Sequence, residues 1–209
     1  MLEQVTKTQT ITADTIAGAM TYQEYKDLAN RLFAQGKTTG ENQSQAYIDY
    51  TRIAIQRMRK WDKIAKVSEQ MVEKVKKLPP QIWLIITEAW CGDAGQNIPY
   101  IYKLAEFNPN IQVRLILRDE NVDIMDAHLT NGARSIPKLV ALSPGLQRVF
   151  FTWGPKPQYL IEKQKAFKNN PDGKSFQEYI EEVHFWYAKD KNQTLEKEME
   201  ACFENAFGI

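Results

Sequence analysis

The sequence predicts an α/β protein built on a four-stranded mixed sheet flanked by helices, with an all-helical N-terminal extension and extra C-terminal helices. Three observations predict it. Residues 1–78 place their apolar side chains only at helical spacing. Between residues 82 and 153, short runs rich in β-forming residues alternate with helical stretches. From about residue 156 the helical spacing returns. The chain divides accordingly into a helical extension (1–78) packed on the core, an α/β core (79–171) and C-terminal helices (172–209). Its 209 residues suit one compact unit.

The elements follow in order. The first dozen residues, rich in Thr and Gln, read as poorly ordered. Thr21 and Glu24 form a capping box, Tyr25, Leu28, Leu32 and Phe33 repeat at helical spacing, and Gly36 marks the stop. "KTTGENQS" (37–44) is a loop. A helix over 43–60 carries Tyr47, Tyr50, Ala54, Met58 and Trp61 on one stripe, and another over 64–77 carries Ile64, Val67, Met71 and Val75 until Pro79 and Pro80 forbid more. "IWLIIT" (82–87) is an unbroken apolar run, the pattern of a strand covered on both faces. A helix follows over 94–107, with Pro99 expected to kink it. Residues 111–118 form a strand and 121–129 a short helix. Residues 138–143 and 147–153 are two strands around the turn pair Pro144-Gly145. Strand–helix–strand predicts a parallel pair with a right-handed crossover. Helices come last, over 156–169 and 175–189. The stripe Phe176, Ile180, Val183, Tyr187 loses phase at "KDKNQ" and a new one (Leu195, Met199, Cys202, Ala206) starts out of register. A break at 190–193 therefore separates a last helix.

Composition bounds the function. A net charge of +1 gives no global field for nucleic acid, anionic membrane or acidic substrate. The basic stretch "TRIAIQRMRKWDKIAK" (51–66) reads as a solvated helix face rather than a nucleic-acid surface. No apolar run approaches the ~20 residues of a membrane span. The N-terminus lacks the charged start and apolar stretch of a signal peptide, so a cytoplasmic location is the default expectation. Cys91 and Cys202 are far apart in sequence and are expected to be free thiols. No Cys/His pair has zinc-like separation, His128 and His184 lack ligand spacing, and no cofactor is expected.

The chemistry concentrates in "TEAWCGDAGQNIP" (87–99). Cys91 follows Trp90 at the junction of the first strand and its helix, and Ile136-Pro137 opens the third strand in "SIPKLV". This order, with these two markers, resembles the thioredoxin fold, in which a cis-proline faces the cysteine. "WCGDA", "TNGARSIPK" and "WGPKP", with the "KTTGENQS" loop and the "QRM" helix, further resemble a bacterial thioredoxin family with WCGDA in place of WCGPC. The likeness covers residues 20–190. It implies the fold and a single-cysteine site, and it implies no settled activity. Against the thioredoxin pattern, Ala94 stands where the second cysteine would be, and Ile85 where thioredoxins bury an acid below the nucleophile.

Read from the residues, a cysteine at a helix N-terminus feels the positive end of the dipole and unpaired N–H groups, which favour thiolate. Asp93 opposes this and Arg134 is placed to help. Glu88, the nearest upstream acid, is expected to face solvent, and "RDEN" (118–121) to form a polar rim. The candidate site is Cys91 as nucleophile, with Trp90, Gly92, Asp93, Arg134, Ile136, Pro137, Trp153 and Gly154 shaping the groove. Two readings stand. One is a single-thiol site exchanging with a protein or small-molecule disulfide or taking up glutathione, which needs an outside thiol for release. The other is a non-catalytic module that uses the groove beside the proline to hold a protein partner. Cys202, on an apolar stripe, reads as core.

Overall fold

Strand β1 (Gln81–Thr87) is buried along its whole length, as a run without polar alternation requires. The structure, a computed structural model, describes residues 10–209. In chain order it contains α1 (Ala13–Gly18), α2 (Tyr22–Ala34), α3 (Gln45–Ile64), α4 (Glu69–Lys76), β1, α5 (Gly92–Ala105), β2 (Ile111–Leu117), α6 (Val122–Ala127), β3 (Lys138–Leu142), β4 (Val149–Trp153), α7 (Gln158–Asn169), α8 (Phe176–Asp190) and α9 (Gln193–Phe207). The sheet order is β2-β1-β3-β4. Strands β1 and β2 are parallel, with Gln81 opposite Ile111 and Thr87 opposite Leu117; β1–β3 and β3–β4 are antiparallel. The mixed four-stranded sheet with added helices at both ends is the architecture the sequence predicts.

Differences from the prediction have local causes. Helix α1 is too short to show a period, yet Thr12 and Thr15 build a capping box for it. Met20 exchanges backbone hydrogen bonds of 2.9 and 2.8 Å with Leu115, so the N-terminal extension also bridges to β2. Residues 1–9 of the stretch read as poorly ordered lie outside the described residues, while Ile11 is buried and Thr12 caps α1. Helix α4 starts only at Glu69 because Ser68 caps it, its Oγ accepting from the Met71 N–H. Helix α5 runs on through Pro99, which cannot donate the backbone bond to the Gly95 carbonyl. The predicted break after α8 is present, with Lys191 and Asn192 both left-handed (φ 51° and 66°).

One apolar cluster runs from Ile16 of α1 through Tyr25, Met58, Trp83 and Leu139 to Phe203 of α9. Trp83 of β1 stacks on Phe203 and meets Phe151 of β4 edge-on, which seats α9 on the sheet. Helix α3 lies along α5, burying Thr51, Ala54, Ile55, Met58 and Trp61. A second cluster of Leu160, Tyr179, Val183 and Tyr187 joins α7 to α8. Among the described residues no helix is long and apolar enough to cross a membrane.

Candidate functional site

Cys91 is the N-cap of α5, and its Sγ accepts from the Ala94 N–H at 3.4 Å. Its thiol donates to the Ile136 carbonyl at 3.3 Å, and the Ile136–Pro137 bond is cis. The cysteine and the proline loop therefore face each other, as the resemblance implies. Beneath them Ile85 is wholly buried in β1, and Tyr25 of α2 donates its hydroxyl to the Glu88 carbonyl at 3.0 Å.

The expected thiolate is not favoured here. Burial, then the neighbouring Asp93 carboxylate, push the Cys91 thiol up to about 12, against the smaller pull of the Ala94 and Asp93 N–H groups and Lys156. Desolvation penalises the charged form more than the helix terminus rewards it. Asp93 is itself held in place: Lys156 pairs with its Oδ2 at 2.8 Å and the Tyr187 hydroxyl donates to its Oδ1 at 2.9 Å. Burial lowers the Lys156 ammonium, but Asp93 outweighs it and leaves it above the usual lysine value. Burial and Asp93 also push the Tyr187 hydroxyl well up.

Cys91 lines a cleft of about 560 Å³, within the range of small-molecule sites. One wall is α3, with Tyr50, Ile53 and Arg57. The other is α8, with Phe176, Tyr179, Ile180, Val183, His184 and Tyr187. The floor is Trp90–Asp93, with Arg134–Ile136 and Pro155-Lys156 beside it. Arg57 hydrogen-bonds to Nε2 of His184. Burial, then Arg57, hold His184 below the ordinary histidine value. Burial also lowers the Arg57 guanidinium, against the attraction of Asp93.

Of the predicted site residues, Trp90, Cys91, Gly92, Asp93, Arg134 and Ile136 come together at the cleft. Arg134 is not free to assist the thiol: Asp126 binds its guanidinium through two hydrogen bonds, of 2.6 and 2.8 Å. Trp153 and Gly154 do not shape the rim. The inward side of β4 buries Trp153, whose indole donates to Glu198 of α9 at 2.7 Å. Gly154 (φ 115°) sits against the Pro137 carbonyl, where any Cβ would collide. Glu88 is buried rather than solvent-facing. Its Oε1 accepts from the Asp119 N–H at 2.9 Å, and burial raises its carboxyl above the usual range. Of "RDEN", Arg118 reaches the cleft and lies over the Trp90 ring, while Asp119 turns to pair with Arg118.

Sequence reasoning missed Arg57, Lys156, His184 and Tyr187. Lys156 was within reach, inside "WGPKP"; Arg57 was hidden among the cations of the basic stretch 51–66. Among the described residues no cluster of His, Cys, Asp or Glu is arranged to hold a metal. Cys91 and Cys202 are both free; Cys202 packs against the main core, and burial raises its thiol to about 11.

A protein-family model described as Thioredoxin matches residues 40–168. Among solved structures the chain is similar to the protein of unknown function PA1234 from Pseudomonas aeruginosa, with a TM-score of 0.61 at 14% identity over 94% of this chain and 99% of that one. It is also similar to an HIV epitope scaffold, with a TM-score of 0.52 at 15% identity over 91% of this chain and 99% of the scaffold. Identities this low show a shared fold and nothing more. No curated protein sequence matches the chain.

Proposed function

The chain belongs to the thioredoxin family, and within it we propose a binding protein that holds a ligand in the cleft over Cys91 rather than an enzyme that cycles disulfides. The observation that carries this reading is the state of the Cys91 sulfur. It is buried, donates its proton to the Ile136 carbonyl, and has a pKa near 12. Such a thiol stays protonated at pH 7. Exchange needs a thiolate for attack and a second thiol for release, and Ala94 supplies no sulfur. The cleft, by contrast, has walls largely of aromatic and aliphatic side chains with polar groups set among them, Arg57 and His184 in the walls and Asp93 and Lys156 at the floor, the composition of a ligand site. Two free cysteines suit a reducing compartment such as the cytoplasm.

A second reading, single-thiol exchange with a protein or small-molecule disulfide such as that of glutathione, is favoured by one feature. Cys91 lines the cleft, with the Asp93 and Ala94 N–H groups directed at its sulfur. Reduction of a protein disulfide by dithiothreitol separates the two. The binding reading expects the same rate with wild type, with Cys91→Ser and without protein. A catalysed rate that Cys91→Ser abolishes overturns it in favour of exchange.

A further inference from the structure

Four cationic side chains line the cleft: Arg57, Arg118, Arg134 and Lys156. Three have a carboxylate partner. Lys156 pairs with Asp93 at 2.8 Å, Arg118 with Asp119 at 2.7 Å and Arg134 with Asp126 at 2.6 Å. Arg57 has no carboxylate within ion-pair distance among the described residues, and its hydrogen bond goes to an imidazole nitrogen. A Cβ on Gly92 would lie 2.6 Å from Arg57 Nη1, so the missing side chain makes room for the guanidinium on the first turn of α5, next to Cys91.

Asp93, already paired with Lys156, attracts the Arg57 guanidinium only from beyond ion-pair distance, so burial still outweighs it and the charge is only partly compensated. A ligand carboxylate supplies what is missing, because an arginine presents paired donors to it. One positive charge is left over, and one carboxylate neutralises it. The walls nearby are aliphatic at Ile53 on α3 and at Ile180 and Val183 on α8, and aromatic at Tyr50 and Tyr187. The geometry points to a small amphipathic carboxylate as the occupant of the cleft, its head group on Arg57 and its apolar body between α3 and α8. This assignment rests on the binding reading above and names the chemistry of the ligand.

The test is calorimetric titration of the full chain with three probes of one shape and different charge: octanoate, octanamide and octylammonium. Octanoate is expected to bind at least about tenfold more tightly than octanamide, the scale of a charge-assisted hydrogen bond, and octylammonium most weakly. Arg57→Gln is expected to make the octanoate and octanamide affinities converge, and a far-UV circular dichroism spectrum and Tm close to wild type show the variant to be folded. Equal affinities of wild type for octanoate and octanamide overturn the carboxylate assignment and leave the binding reading standing. A preference for octanoate that survives Arg57→Gln overturns the role of Arg57. Failure of all three probes to bind overturns both the assignment and the reading beneath it.

Discussion

Gly95→Ala tests how the N-terminal extension is seated on the site. Gly95 lies in α5 where α3 crosses it. A Cβ there would be 2.7 Å from the Ala54 carbonyl oxygen, 3.0 Å from the Ala54 Cα and 3.2 Å from its carbonyl carbon. All three are backbone atoms, so no side chain can swing away, and α3 itself must move outward. Overpacking of this kind costs about 1–3 kcal/mol, and the better helix propensity of alanine returns about 1 kcal/mol. The net expectation is a loss of about 0–2 kcal/mol, or a fall in Tm of up to about 8 °C for a chain of this size, and a loss of about 1–3 kcal/mol relative to a glycine-to-alanine change that meets no clash. Thermal and urea unfolding by circular dichroism measure it, with Gly18→Ala as the control, since nothing lies within 4 Å of a Cβ at Gly18. A Gly95→Ala protein stabilised as much as Gly18→Ala refutes the close approach of α3 and α5.

Two further predictions concern the charges of the cleft. Asp93→Asn removes the second largest cause of the raised Cys91 thiol and keeps an acceptor for the Tyr187 hydroxyl; the alkylation midpoint of Cys91 should move down, and an unmoved midpoint contradicts the coupling. Arg57→Gln should bring the His184 titration, followed by NMR of the imidazole, up toward 6.5, because Arg57 is the second cause after burial that holds it down. The sign follows from linkage. Between the lowered folded value and 6.5 the unfolded chain binds a proton that the folded chain does not. The contribution of His184 to stability is therefore complete above pH 6.5, is lost as pH falls through the folded value, and shrinks in the variant.

The sheet was legible because its signals are local. The unbroken apolar run of β1, the Pro144-Gly145 turn and the phase shift near Lys191 each lie within a few residues of sequence. The turn Trp90–Asp93 and the proline loop were legible for the same reason. The walls of the cleft were not. Arg57 looks like one of several cations on a basic helix until α3 is laid on α5, and His184 and Tyr187 gain their roles only when α8 closes over Cys91. Trp153 misled because a tryptophan at a strand end reads equally as rim or core, and packing against Glu198 of α9 decided for the core. The helix terminus argued for a thiolate at Cys91, and only the structure shows the depth of burial that outweighs it.

The most direct measurement is the rate of Cys91 alkylation by iodoacetamide against pH, in a Cys202→Ser background. With the thiol held near 12, the rate should go on rising through pH 10 with no plateau. A plateau with a midpoint at or below the free-cysteine value of ~8.5 would contradict a dormant thiol and return Cys91 to service as a nucleophile.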